Sequence, residues 1–287
     1  MSTSNYTKKT KCVCCNKSNL SVVLDLNNQP LANSYHKVFE NLNAFLNLSV
    51  DIEKLYEYPL GLNLCNDCFH LQLTHIVNPD LLFKDYLYVS GTSQTLKDNF
   101  EWFANFVIEN SDIEVKNVLD IACNDGSQLD CFKSKGIKTY GIDPAENLYE
   151  LSSKNHNIVC DYFSADKFVH TDHSYQYEHK KFDVIIAQNV FAHNENASEF
   201  LDNCERLMHD DSKLYIQTSQ SDMVKNNQFD TIYHEHISFF NINSFNELVK
   251  RTDLHLVDVI KTPVHGVSYL FVLSKVKSNK NRVQNLI

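Results

Sequence analysis

Glycine is scarce in this chain of 287 residues, with 6 in all, and none falls in a GxGxxG run. That absence excludes the glycine cradle with which dinucleotide-binding folds hold a pyrophosphate. Long apolar runs are also missing: none approaches the ~18–20 residues that a membrane span needs. The opening MSTSNYTKKTKC carries no apolar core of a secretory signal. The expectation is a cytoplasmic protein with no membrane partner. Basic residues are outnumbered, 26 Lys and Arg against 36 Asp and Glu, for a net charge of −10. Such a surface repels phosphate backbones, so nucleic-acid binding is not expected. The short basic clusters, Lys8, Lys9 and Lys11 near the start and Lys275, Lys277, Lys280 and Arg282 near the end, read as solvated, frayed termini.

What is present is an apolar fraction of 43%, enough for a buried core, and a length that suits one α/β domain with a small attached module. Nine cysteines are an odd number, and five fall in the first 68 residues. Clustering of this kind in an intracellular chain points to a metal before disulfides. Cys12 and Cys15 form one CxxC pair, and Cys65 and Cys68 another. Each pair can place two thiolates on one tetrahedral ion, and two pairs close a structural zinc site with no position left for substrate. Cys14 is a spare thiol that could take a ligand's place. Zinc would help to fold a segment too small for its own core. Residues 1–75 are assigned to this module and 76–287 to a second domain, with 76–110 as a helical linker or lid. In that linker Leu96, Phe100, Phe103 and Phe106 or Val107 share one helical face, and Ser93 is placed to cap it.

Beyond Glu114 strands alternate with helices. Val115–Ala122, Lys138–Ile142, Asn157–Cys160, Phe182–Gln188 and Lys213–Thr218 read as strands, as do Leu256–Ile260 and Val267–Leu273. Helices are expected between them, with a polar surface loop at His170–Lys181. This is the pattern of a parallel α/β sheet of Rossmann-like type. The first strand runs through Asp120 into the turn Asn124-Asp125-Gly126, at the carboxyl edge where nucleotides bind. The second strand ends in Asp143, about 20 residues on, a carboxylate suited to ribose hydroxyls. An acidic turn without a glycine run suits S-adenosylmethionine, which carries a sulfonium and an amino group and no phosphate.

Asp230-Thr231-Ile232-Tyr233-His234-Glu235-His236 is dense in titratable groups between apolar neighbours. Histidine is the natural base near neutral pH. His234 and His236 as metal ligands, or the whole cluster as an inert hydrogen-bonded surface, are the competing readings. Asn189 and His193, in QNVFAHN, follow a sheet strand and should approach the same cleft.

These segments carry a resemblance: CVCC, LCNDC, QPLAN (Gln29–Asn33), DYLYVSGTS (Asp85–Ser93), IACNDGSQL, GIDPAENL, NVFAH and FDTIYHEHISFF (Phe229–Phe240). The chain resembles the zinc-binding sugar C-methyltransferases of deoxysugar biosynthesis, which methylate a carbon of nucleotide-linked 4-keto sugars. The resemblance implies a class I Rossmann-like methyltransferase sheet, S-adenosylmethionine as cofactor and a nucleotide-sugar substrate. It implies His236 as the base, Tyr233, Glu235 and His193 lining the acceptor pocket, and Tyr88 or Tyr86 closing over the cofactor. Cofactor contacts would come from Asp120, Asn124, Asp125, Gly126, Asp143 and Asn189. The chain departs from the family at Ala122, Gln217, Val267 and Leu270. The family continues into a further domain that helps to hold the nucleotide-sugar; here that grip either comes from a separate partner protein or is lost. O- or N-methylation of a sugar or other small molecule, and a non-catalytic protein that keeps the cofactor and zinc sites, are the alternatives.

Overall fold

The computed structural model describes residues 5–33, 56–84, 86–168, 181–262 and 268–277. Strands β1 (Tyr6–Lys8), β2 (Leu20–Pro30), β3 (Glu57–Cys65), β4 (Leu71–Leu73) and β5 (His75–Val77) come first. Helices α1 (Asp80–Phe83) and α2 (Gln94–Glu109) follow, with a 3-10 turn at Ser90–Thr92 between them. The α/β part is β6 (Asn117–Ile121), α3 (Ser127–Lys133), β7 (Lys138–Ile142), α4 (Glu146–Ser152), β8 (Asn157–Val159), β9 (Phe182–Gln188), α5 (Ala197–Arg206) and β10 (Met208–Thr218). It ends with β11 (Ser238–Phe239), α6 (Ile242–Val249), β12 (His255–Thr262) and β13 (Ser268–Ser274).

Seven strands form one sheet in the order β12-β13-β10-β9-β6-β7-β8. The five strands β8, β7, β6, β9 and β10 run parallel, and β13 inserts antiparallel between β10 and β12. Phe182–Gln188 is apolar almost throughout because helices cover both faces of the sheet there. One face is packed by α2 and α3, where Phe103 meets Tyr215 edge-on at 5.9 Å between ring centroids. The other is packed by α5 and α6, where Phe245 stacks on Phe271 at 3.8 Å. Each such fully buried ring contributes roughly 1.5–3 kcal/mol. From β6 the chain moves to β7 on one side and later to β9 on the other. The carboxyl ends of β6 and β9 therefore flank the switch point, where an α/β sheet opens a crevice. The Rossmann-like class expected from the alternation of elements is the observed one. The Ser93 side chain caps α2 by accepting from Leu96 N.

The N-terminal region differs from its reading. Residues 12–75 show little periodicity in sequence, yet β2 and β3 span 11 and 9 residues. They pair antiparallel in a sheet ordered β11-β4-β3-β2. Register shifts between Val22 and Leu24 and between Asp25 and Asn28 break the two-residue alternation. The lysines near the start are not frayed either. Strand β1 pairs with β5, Lys9 N donates to Thr74 O at 2.9 Å, and the Lys9 side chain is 17% exposed. Near the end, Lys275 pairs with Glu205. Lys280, Arg282, most of the loop expected at His170–Lys181, and His265–Val267 lie outside the described residues. Among the described residues no helix is long and apolar enough to cross a membrane.

Candidate functional site

Two matching turns bring the cysteines together. Cys12 N donates to Lys17 O at 2.8 Å and Asn16 N to Cys12 O at 3.0 Å. Likewise Cys65 N donates to His70 O and Phe69 N to Cys65 O, each at 2.9 Å. Asn16 and Phe69 both take the left-handed conformation, φ 60° and 59°, that folds each turn back on its thiols. The sulfurs of Cys12, Cys15, Cys65 and Cys68 all lie within 4.8 Å of one another. The Cys12–Cys68 and Cys15–Cys65 contacts are 3.5 and 3.6 Å. A tetrahedron of four sulfurs about 2.3 Å from zinc has edges of about 3.8 Å, so the residues fit the ion. Cys14 is fully buried but outside the four-sulfur group.

A cleft of about 1570 Å³ opens at the carboxyl edge of the large sheet. Its floor is the turn after β6. Asn124 N donates to Asp143 Oδ2 and Ala145 N to Asp143 Oδ1, both at 2.8 Å, so the end of β7 is locked to the turn. Asp120 is 4% exposed, and no cation is bonded to it among the described residues. Burial first, then the charges of Asp143 and Asp125, pushes its carboxyl well above the usual carboxylate range. Burial raises Asp143 too, against the pull of its two backbone donors. Two buried acceptors reinforce this demand for a donor-rich or cationic ligand. Gln128 Oε1 and Gln188 Oε1 have no hydrogen-bond partner among the described residues, and both side chains line the cleft. This set of acceptors fits the sulfonium and amino groups of adenosylmethionine, with Asp143 at the edge for hydroxyls.

A roof is tied to that floor. Asn124 Oδ1 accepts from Ser90 N at 2.9 Å, Asn124 Nδ2 donates to Tyr88 O at 2.9 Å, and Asp125 Oδ2 accepts from Gly91 N at 2.8 Å. Tyr86 and Tyr88 therefore sit in the wall of the cleft, with Phe83, Leu96 and Phe100. Gly126 does not line the cleft. It turns the chain at φ 84°, and a β-carbon there would stand 2.8 Å from the His156 ring. Asn189 lines the cleft in the left-handed region, φ 58°, with its amide donating to Gln217 O at 2.8 Å.

The segment after residue 229 folds back across the same opening. His236 Nδ1 is 2.8 Å from Thr231 O, a carbonyl that can only accept, so Nδ1 carries the proton and Nε2 the lone pair. Tyr233 Oη lies 3.0 Å from that Nε2. Burial, with the charges of Glu235 and Tyr88, raises the Tyr233 phenol, so it keeps its proton and donates. His193 stacks on Phe83 at 5.5 Å and lies 5.3 Å from the His236 ring. Burial and the neighbouring His236 lower its pKa to about 3, so it stays neutral, and its buried Nε2 has no partner among the described residues. Tyr233, His236 and His193 all face the cleft. Glu235 does not. It is 2% exposed behind them, where its Oε1 accepts from Asn33 Nδ2 at 2.5 Å and its Oε2 from Tyr86 Oη at 3.4 Å.

His234 points the other way, its Nε2 donating to Tyr58 O at 3.1 Å. Residues two apart on this stretch serve different neighbours, so His234 and His236 do not form a metal pair. Among the described residues the four cysteines are the one cluster fit for an ion. Sequence reasoning missed Gln128 and Gln188. Their signal was position, the first turn of a helix and the last residue of a strand at the switch point.

The family described as "Methyltransferase domain" matches residues 94–259, and one described as a zinc binding domain matches residues 12–83. The chain is 28% identical to C-methyltransferase NovU of Streptomyces niveus over 214 residues, 74% of this chain and 50% of that protein. It thus spans about half the length of the curated relative it matches. Among solved structures, the plantazolicin methyltransferase BpumL, in complex with a triazolic desmethylPZN analog and SAH, aligns with a TM-score of 0.50 at 17% identity. That alignment covers 65% of this chain and 87% of that one.

Proposed function

We infer the reaction from a plain premise: the chain belongs to the methyltransferase-domain family and is an S-adenosylmethionine-dependent methyltransferase with a zinc-binding module. The proposed acceptor is the carbon next to the ketone of a nucleotide-linked 4-keto deoxysugar. The observation that carries this reading is the His236 imidazole, held by Nδ1–H on Thr231 O with its Nε2 against the Tyr233 hydroxyl, both side chains lining the cleft that Asp120 and Asp143 floor. A base would serve a hydroxyl acceptor too, but a hydroxyl forms no enolate to be held. A carbon acceptor needs a base to remove its proton and a donor to hold the resulting enolate. The site has both.

In this reading the Tyr233 hydroxyl turns from His236 Nε2 to the ketone oxygen of the acceptor, and the freed Nε2 takes the proton from the acceptor carbon while Nδ1–H stays on Thr231 O. The electron pair moves onto the ketone oxygen, where the Tyr233 hydroxyl and the neutral His193 are placed to donate. Glu235 acts from behind by holding Tyr86 and the Asn33 segment against the wall. Asp120, Gln128 and Gln188 orient the charged end of adenosylmethionine. When bound, that cofactor supplies an electrophilic methyl, which bonds to the carbon as the carbon–sulfur bond breaks to a neutral thioether. A positioned base contributes roughly 10²–10⁴-fold.

The test is a panel of 4-keto nucleotide sugars incubated with adenosylmethionine and read by mass, with the methyl located by NMR. His236→Ala is expected to bind adenosylmethionine as the parent does and to lose about 10²–10⁴ in turnover. A methyl found on oxygen or nitrogen, or a variant with near-normal turnover, removes the assignment.

A further inference from the structure

The geometry points to an anion subsite, built from Lys9, Lys11 and Arg251, that takes the diphosphate of the acceptor at the outer end of the same cleft. This rests on the reading of the acceptor as a nucleotide-linked sugar and assigns its charged half to residues of this chain.

The cleft has two chemically opposite ends. The floor carries Asp120, Asp125 and Asp143, which suits a cationic cofactor and repels phosphate. Lys9, Lys11 and Arg251 line the cleft near the cysteine turn, together with the exposed Asn16. These cations are not loose surface groups. Lys9 is anchored through its backbone to Thr74 O and leads into the Cys12 turn. Arg251, just beyond α6, donates from Nη1 to Cys14 O at 2.7 Å and to Val13 O at 3.2 Å. Two further N–H-bearing nitrogens of its guanidinium remain to meet a ligand. The cysteine turn thus gathers a strand from the start of the chain and a residue beyond α6 at one rim.

Position relative to the chemistry supports the assignment. Lys9 Nζ pairs with Glu195 Oε1 at 3.3 Å, and Glu195 is two residues beyond His193. Lys9 therefore stands next along the cleft wall from His193, on the side toward which the phosphates of a sugar held by His193 and His236 would extend. Glu195 is half-exposed and holds Lys9 until an anion competes for it. The acidic chain as a whole repels phosphates, so a local cation set is what such a ligand requires.

Calorimetry on the full chain with S-adenosylhomocysteine bound tests this, with uridine diphosphate and inorganic pyrophosphate as probes. The parent chain is expected to bind both, more weakly as salt rises. Lys9→Gln/Lys11→Gln should weaken both by about tenfold or more, with unchanged affinity for S-adenosylhomocysteine as the check on folding. Glu195→Gln should tighten both, because it frees Lys9. A parent that binds neither probe, or a double variant that binds them as the parent does, overturns the subsite. Failure of the reaction reads differently: the probes bind and the lysine variants weaken them, while no 4-keto nucleotide sugar is methylated.

Discussion

Ala122 follows β6 with φ 59°, its amide donating to Ile142 O at 2.8 Å. The backbone bond fixes the conformation, and the methyl group makes it costly. A residue with a β-carbon gives up roughly 1–2 kcal/mol in the left-handed region. Glycine would recover that and give back about 0.5–1 kcal/mol in unfolded-chain freedom. Ala122→Gly is therefore expected to raise stability by about 0.5–1 kcal/mol in urea unfolding; an unchanged or lower midpoint would show that the turn relaxes around the methyl. His193 makes a second expectation at this scale. Its pKa falls from 6.5 to about 3 on folding, through burial and His236. Below pH 6.5 the unfolded chain takes up a proton that the folded chain refuses, so this contribution is full above 6.5 and is lost as pH falls toward 3. The loss between pH 7.5 and 5.5 is about 1.4 kcal/mol for a group shifted this far. His193→Phe, which can keep the stack on Phe83, should flatten the pH dependence of unfolding by that amount. Parallel profiles for the two chains would rule it out.

Elements differ in how openly the sequence announces them. Phe182–Gln188 was readable to the residue, because a strand covered on both faces is a nearly continuous apolar run between polar turns. The cysteine spacing likewise pointed to the four residues whose sulfurs the fold gathers. Strands β2 and β3 were not readable. Much of β2 is exposed and carries two register shifts, so neither an apolar run nor an alternation survives. Nor could spacing show that β11, over 160 residues later, completes their sheet by pairing Ser238 with Gln72 and Phe239 with Leu71. That pairing makes the cysteine turns matter beyond their own segment, since β4 leaves the Cys68 turn and holds β11 just after His236. Chelation of zinc is expected to lower the thermal midpoint and to speed amide exchange across Leu71–Leu73 and Ser238–Phe239 together. Faster exchange at the cysteine turns alone, with β11 still protected, would mean that the seam stands without the ion.

For the whole molecule, the decisive feature is that one cleft is walled by several separate stretches of chain, residues 9–16 forming its rim. The α/β sheet gives the floor, the region around residues 83–92 one wall, and residues 219–236 another. The acidic turn and its aspartates were legible from sequence because they follow a strand at a switch point. The wall was expected only through the resemblance, at Tyr86 or Tyr88, since its contacts with the turn are made by backbone groups. Ser90 N and Gly91 N hang on the side chains of Asn124 and Asp125, and a β-carbon at Gly91 would stand 2.5 Å from Asp125 Oδ2. Asp125 therefore holds the wall in place besides lending the turn its charge, and in the proposed reading both serve the cofactor. Asp125→Ala should speed exchange at Ser90 and Gly91 while β6 and β9 stay protected, and weaken adenosylmethionine by about tenfold. Asp125→Asn separates the two roles, because its side-chain oxygen can still accept from Gly91 N after the charge is gone. If the wall stays protected in the Asn variant and affinity is largely kept, position matters more than charge. If the Ala variant leaves exchange at Ser90 and Gly91 unchanged, the wall is held by other contacts and this account of the coupling is wrong.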